Sequence, residues 1–414
     1  MQKKDTKFDV AVIGGGPAGI MAAAQSARNR LRVILIEQNQ LPARKLLLAG
    51  GGRCNLTNAE FNLKKLVKNY HNGEFLFHAF SVFGPKETIE FFNKIGIETK
   101  AENNNRVFPK TNRAQDVLDA LANHLAEKNV EMIFGREILD IKKSKNKITK
   151  IVLDNSEIVA DRYILCTGGK SYPQTGSTGQ GFELAKKLGH TIVEPTPALS
   201  PIILKEEWVK DLQAISLKDV CVSVLSDNKK YVCENGEIIF THFGLSGPAI
   251  LNVSAEIKKL LQQGKEVKIS IDLAPQFNQE ELLKEFEEYL RGYPKKSVKN
   301  ILSEFAQERL AEVLLNIAGI DGNKIANNMS KIERCAIVKI LKNFEVTAKD
   351  VMGFEQAMAT RGGVSLKEIN HKTMQSKIID NLYFAGEIID IDAKTGGFNL
   401  QMCWSTGYAA AMAK

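Results

Sequence analysis

Residues Phe8 to Gly19 read FDVAVIGGGPAG, and few folds accommodate such a stretch. Phe8 to Ile13 is a short apolar run rich in β-branched residues, the pattern of a strand buried on both faces. Gly14, Gly16 and Gly19 then stand at G-x-G-x-x-G spacing, and the small-residue run from Ile20 to Ala27 opens a helix. Each glycine has a physical task in such a turn. Gly14 permits the tight reversal, Gly16 lets the backbone approach a pyrophosphate, and Gly19 lets the helix lie close on the strand. The helix start offers free N–H groups and a positive dipole end to phosphate. A second strand, Arg32 to Ile36, runs into Glu37, where a carboxylate can take the ribose hydroxyls of an adenosine. Strand, glycine turn, helix and acid together predict a dinucleotide site, against the alternative of an empty structural βαβ unit.

A chain of 414 residues has core enough for two to three domains. Its 44% hydrophobic and 25% charged residues are in the balance of a soluble globular protein. No apolar run reaches the ~20 residues that cross a bilayer, so no membrane partner is expected. The start, MQKKDTKFDV, passes straight into the first strand, leaving no room for a signal peptide, and the expected location is cytoplasmic. Six cysteines are scattered without a C-x-x-C pair, which speaks against a metal site and against a disulfide framework. A net charge of +8 permits a polyanionic partner without demanding one.

Gly50-Gly51-Gly52-Arg53-Cys54-Asn55 cannot be a helix interior. So bare a backbone, beside a cation and small polar groups, suits close approach to a flat ring or a phosphate. Cys54 has no partner cysteine at either Ala49 or Ala59, so a dithiol mechanism is disfavoured; it reads as a ring-packing residue or as a reactive thiol. Apolar spacing predicts helices at 63–70, 85–95 and 114–128, a polar loop at 106–114, and a strand at 163–166 ending in Thr167-Gly168. The Ser171 to Gly181 loop, rich in glycine and hydroxyls, precedes a helix at 181–188 but lacks the strand and acid of a second nucleotide fingerprint.

Prolines 195, 197 and 201 mark a boundary into β-rich sequence that carries the turn THFGLSGP with His242. Helices are expected at 278–290, 297–317 and 330–341, with Asn or Ser caps. Arg291, Lys295, Lys296 and Lys299 form a small basic cluster, readable as a solvated connection or as a phosphate-backbone contact. The closing block, YFAGEIIDID and then GGFNLQ, is a strand ending in an acid followed by Gly-Gly and a helix start. Such a helix start can stabilise negative charge on a reduced flavin ring.

Together the stretches GGGPAG, GGGRCNLTN, RVFPKTNRA, TGGKSYPQTGSTGQG, THFGLSGPAIL, TRGGV, TMQSK, YFAGEIIDID and GGFNLQ resemble the bacterial HI0933-like (aminoacetone-oxidase-like) family of FAD-dependent oxidoreductases. The resemblance implies an α/β fold, a Rossmann-like two-dinucleotide-fold FAD domain built from both chain ends, with an inserted β-barrel-like domain and a small helical domain. The expected division is 1–194 and 365–414 for the FAD domain, 195–275 and 343–364 for the β-rich insert, and 276–342 for the helical part. By resemblance, Gly14, Gly16, Gly19 and Glu37 hold the ADP half, with Ala18 and Lys45 among the cofactor contacts. Arg53, Cys54, Asn55, Thr167 and Gly168 line the cofactor, and Gly386, Glu387, Gly397, Asn399 and Leu400 stand near ribityl and ring.

With FAD carrying the hydride, the protein supplies position and electrostatics. No second strand–GxGxxG–helix unit is present, so NAD(P)H as donor has to visit transiently. His242, Tyr172 and Cys54 are the acid–base candidates. Arg361 and Arg113 are candidate substrate contacts, and Arg53 and Arg361 can instead offset charge on the reduced ring. Three readings stay open: a reductase forming dihydrouridine in ribosomal RNA, a small-molecule flavin oxidase or reductase such as an amine oxidase, and a flavin-binding interaction protein without turnover. The first is preferred; the oligomeric state is not legible.

Overall fold

The computed structural model describes residues 7–413. They form two compact units, one from the chain up to Pro197 together with Ala357 onward, the other from Ala198–Gln356.

In the first unit, strand β1 (Lys7–Ile13) is buried almost throughout, as its unbroken apolar run requires. It pairs in parallel with β2 (Val33–Glu37) on one side, in register Val10↔Val33 to Ile13↔Ile36. Beyond β2 lies β3 (Glu131–Phe134), also parallel. The hairpin of β4 (Ile138–Ser144) and β5 (Lys147–Leu153) extends the sheet through β6 (Glu157–Leu165). That last strand pairs in parallel with the other side of β1 and, near its end, with β7 (Leu382–Phe384). Both ends of the chain therefore contribute to one sheet. Helix α1 (Pro17–Ser26) follows the glycine turn and is buried from Ala18 through Ser26. It packs on the closing helix α2 (Phe398–Met412), so closely that a Cβ at Gly407 would stand 2.4 Å from the Ala18 carbonyl oxygen. The segment 106–114, expected as a loop, instead begins with a strand, Arg106–Pro109, which pairs with Thr99–Glu102. Val107 and Phe108 are buried there, and that burial favours the strand.

The second unit contains a closed six-stranded antiparallel barrel, ordered 202–204, 244–246, 229–240, 216–226, 268–272 and 344–351. Val220, Val222, Val224, Ile238, Phe240, Ile269, Ile271 and Val346 fill the same core as the helices of that unit. One of these, Pro248–Gln262, has no counterpart among the expected elements. Gly247 (φ +93°) and Pro248 start it, and Ala249, Ile250, Val253, Ile257 and Leu260 make its buried face. The helix expected over 297–317 is two, Val298–Leu302 and Glu308–Ala318. The break lets Phe305 pack edge-on against Phe286 and Tyr289, with ring centroids 5.6 Å apart in both cases.

Candidate active site

The glycine turn is built as its spacing demands. Gly14 has φ +100°, and a Cβ on it would stand 2.5 Å from the Cys166 carbonyl oxygen at the end of β6. A Cβ on Gly19 would meet the Gly14 oxygen at 1.8 Å, so helix and turn are in direct contact. Gly16 differs. It is the N-cap of α1, in an extended conformation any residue adopts (φ −77°, ψ −178°), and beyond the adjoining residues no atom lies within 4 Å of a Cβ built on it. No side chain caps the helix, and Gly16, Pro17 and Ala18 at its start border open space.

That space is an open cleft at the end of the sheet. Gly14, Gly16, Ala18, Glu37, Lys45, Thr167, Gly168, Gly386 and Glu387 line it, so nine of the residues picked out from the sequence converge from both chain ends. Glu37 is buried; its Oε2 accepts from the Gly15 N–H (2.7 Å), and its Oε1 from both the backbone and the amide of Asn39. An ionised carboxylate offers about four acceptor positions, and these three bonds leave one open. Lys45 donates to Glu387 (2.7 Å) and to the Ser171 hydroxyl (2.5 Å), while Glu387 also accepts from Ser171 and from the Thr360 N–H. The cation and acid thus neutralise each other at the cleft wall.

The Ser171 to Gly181 loop supplies the opposite wall, through Thr175 to Gly181. Gln38 and Asn39, just past β2, pin it by donating to the carbonyls of Gly176 and Thr175. The loop therefore completes the one cleft of the glycine turn. Sequence reasoning missed this, along with Gln38, Asn39, Arg44, Arg136 and Cys403 in the lining. The hydroxyl content of the loop was the available signal.

Several of the other singled-out residues serve the frame, and the rest lie at the surface or part-buried. Arg53 pairs with Glu102 (3.0 Å) and lies 3.9 Å over the Phe108 ring. Cys54 is fully buried at φ +60°, and burial pushes its thiol up to about 12, so it stays protonated and shielded rather than poised as a nucleophile. With its amide oriented to suit its neighbours, Asn55 donates to the Val107 and Thr57 carbonyls and accepts from the Gly397 N–H. Gly397 (φ +98°) comes so near Thr57 that a Cβ would be 2.3 Å from its oxygen. Asn399 is tied to both backbone groups of Ala393 at 3.0 Å, and Leu400 packs partly buried against the core beside α1. Tyr172 is half-buried at φ +53°, and burial raises its phenol. Arg361 grips the buried Asp392 with two hydrogen bonds, 2.8 and 3.1 Å, which ties the proposed anion contact to the chain itself. Arg113 is exposed and 3.6 Å from Asp116. His242 belongs to the second unit, exposed on the turn before 244–246 and edge-on to Phe243. In the basic cluster, Lys296 pairs with Glu304 and Lys299 with Glu308 and Glu312, so two of its four cations are already neutralised.

A sheet with a parallel core whose first turn presents an uncapped helix start to a cleft shared by both chain ends defines a Rossmann-type dinucleotide-binding protein. The profile of the HI0933-like protein Rossmann domain matches residues 8–413, and the chain belongs to that family of FAD-dependent oxidoreductases. It is 32% identical over 408 residues to a 3-dehydro-bile acid delta(4,6)-reductase of Clostridium scindens, covering 98% of each chain. It is 30% identical over 405 residues to the ribosomal RNA dihydrouridine synthase of Escherichia coli, covering 98% of this chain and 97% of the other. Among solved structures, a 3-ketosteroid delta1-dehydrogenase from Sterolibacterium denitrificans shares the fold, with a TM-score of 0.53 at 11% identity and 98% coverage of both chains. The cleft fits FAD: the space a side chain at Gly16 would fill is left clear, and the helix start beside it lacks any internal cap. No helix among the described residues is long and apolar enough to cross a membrane.

Proposed function

We propose that the chain is an FAD-dependent reductase that saturates a carbon–carbon double bond conjugated to a carbonyl. The observation that carries this is the cleft shared by the opening glycine turn and the closing segment, with its uncapped helix start. The chemistry is supported by the relatives' names, since delta(4,6)-reduction of a 3-dehydro compound and dihydrouridine synthesis both saturate a ring enone. FAD bound here, once reduced by NAD(P)H, would supply the hydride. In this reading Gly14, Gly16, Ala18 and Gly19, with the N–H groups opening α1, hold the pyrophosphate. Glu37 uses its remaining acceptor position for a ribose hydroxyl. Thr167, Gly168, Gly386 and Glu387 line the path toward the ring, and the start of α2 beyond Gly397, whose own N–H is taken by Asn55, contributes backbone N–H groups, the Asn399 side chain being committed to Ala393. Lys45 fixes Glu387. NAD(P)H is the donor and visits transiently.

Within this class uridine in ribosomal RNA is the favoured substrate, supported by the net charge of +8 and by the Escherichia coli relative. A steroid-type dienone is the second reading, favoured by the Clostridium scindens relative. The test is anaerobic. Holoprotein is reduced with NADH or NADPH, then mixed with ribosomal RNA or with a 3-oxo-4,6-diene steroid acid, and flavin reoxidation is followed by absorbance. Reoxidation by one of them, with its saturated product, supports the reading. Reoxidation by neither sinks it, and bleaching of the oxidised cofactor by an amine would put an oxidase in its place.

A further inference from the structure

Cys221 and Cys233 both belong to the second unit. Strands 216–226 and 229–240 are joined by a two-residue turn in which Asp227 and Asn228 both have positive φ (+49° and +56°), the conformation of a tight hairpin. The turn sets a register in which Ser223 faces Cys233 and Cys221 faces Asn235, so the two cysteines are diagonal neighbours on one face. That face looks away from the barrel interior: Val220, Val222 and Val224 alternate with them and are buried, whereas Cys221 is partly exposed and Cys233 exposed. Their sulfurs approach to 2.7 Å.

We propose that Cys221 and Cys233 are a redox-active pair that closes reversibly into a disulfide on the barrel face by exchange with a low-molecular-weight disulfide. The Cys233 thiolate attacks one sulfur of the small disulfide, breaking its S–S bond, forming a mixed disulfide and releasing one thiolate. Cys221 gives its proton to solvent and attacks the Cys233 sulfur, which forms the Cys221–Cys233 bond and releases the second thiolate. Two protein thiols are oxidised and one small disulfide is reduced to two thiols.

The surroundings assign these roles. Burial acts to raise the Cys233 thiol, but hydrogen bonds with Cys221 and Ser223 and the charge of Lys230 outweigh it and lower the pKa. The Cys221 thiol is pushed up to about 11, by burial first and then by Cys233. The more acidic, more exposed sulfur is the attacking one, and the shielded neighbour resolves. Cys54, Cys166 and Cys403, by contrast, are held high by burial inside the first unit and do not compete.

The test equilibrates the full-length holoprotein against graded ratios of reduced to oxidised glutathione, quenches in acid, alkylates, and maps peptides by mass spectrometry. A cross-linked 221–233 peptide that grows with the oxidised fraction and disappears on reduction is expected. Cys221→Ser should accumulate glutathione on Cys233, and Cys233→Ser should take it up at Cys221 at least about tenfold more slowly. Two results overturn the proposal: both thiols alkylated as free at every ratio, or glutathione retained on Cys233 of the unaltered protein. Both are read on the unaltered chain, so misfolding of a variant does not bear on either.

Discussion

Replacing Gly16 by alanine isolates the contact between backbone and cofactor from the stability of the fold. At φ −77° and ψ −178° the backbone accepts any residue, and beyond the adjoining residues no chain atom lies within 4 Å of the added methyl. The protein itself therefore feels only a change of N-cap, below about 1 kcal/mol. The methyl enters the cleft where the pyrophosphate is proposed to meet the α1 N–H groups. Losing one hydrogen bond to a charged group costs about 1.5–3 kcal/mol, which at 1.4 kcal/mol per decade is a roughly 10- to 100-fold weaker Kd. Gly19→Ala is the contrast, because its methyl would sit 1.8 Å from the Gly14 oxygen. Such overpacking costs about 1–3 kcal/mol of stability. The assay strips the cofactor, measures urea midpoints of the apoproteins, and titrates FAD by fluorescence quenching. Gly16→Ala should keep the wild-type midpoint and lose affinity; Gly19→Ala should lose both. A Gly16→Ala affinity within about threefold of wild type, less than 0.7 kcal/mol, would refute the placement of phosphate at this turn.

Arg361→Ala leaves the carboxylate of Asp392, 3% exposed, without its bidentate partner, and should cost about 3–5 kcal/mol in urea unfolding of the apoprotein. An effect confined to substrate KM would restore a substrate-binding role for this arginine. The Thr167 hydroxyl is buried without a hydrogen-bond partner, so Thr167→Val should leave apoprotein stability unchanged or raise it by up to about 1 kcal/mol. A clear fall in the urea midpoint would reveal a partner. Hydrogen bonds from Lys324, then from the backbone and hydroxyl of Ser330, hold Glu333 down at about 2 against an ordinary 4.5. Its folded pKa is depressed, so its contribution is present above pH 4.5 and fades as pH falls toward 2. Glu333→Gln should be less stable at neutral pH and lose part of the acid slope across that window, as read by pH-dependent thermal unfolding.

The first unit was largely legible because its constraints act locally. The apolar run of β1 and the glycines at 14, 16 and 19 each encode a close approach, and the structure shows such approaches at Gly14 and Gly19. The Ser171 to Gly181 loop was legible as a loop but not as a cleft wall, because Gln38 and Asn39 pin it across more than 130 residues of chain. The same holds for Arg361, Asn55 and Asn399. Their residue types suit ligand contact, and only the fold reveals partners such as Asp392, Gly397 and Ala393 that occupy them. The helix Pro248–Gln262 was readable from Gly247-Pro248 and its apolar period, but its neighbours on either side suggested strands.

Cofactor and substrate differ in legibility for a related reason. A pyrophosphate is recognised by backbone, and backbone recognition leaves glycines, which any reader of the sequence can see. A substrate is recognised by side chains, whose availability depends on what else they touch. The excess of eight cations shows this. It reads as an invitation to a polyanion, yet Lys45 is held by Glu387, Arg53 by Glu102, Arg361 by Asp392, and Lys296 and Lys299 by three glutamates. Charge therefore argues for RNA only through cations that stay unpaired, and these contribute individually to binding that weakens with salt. An enone attached to RNA and an enone attached to a steroid ask the same of the flavin and different things of the surface. The first demand is the one proposed for this fold, and side-chain partnerships decide the second.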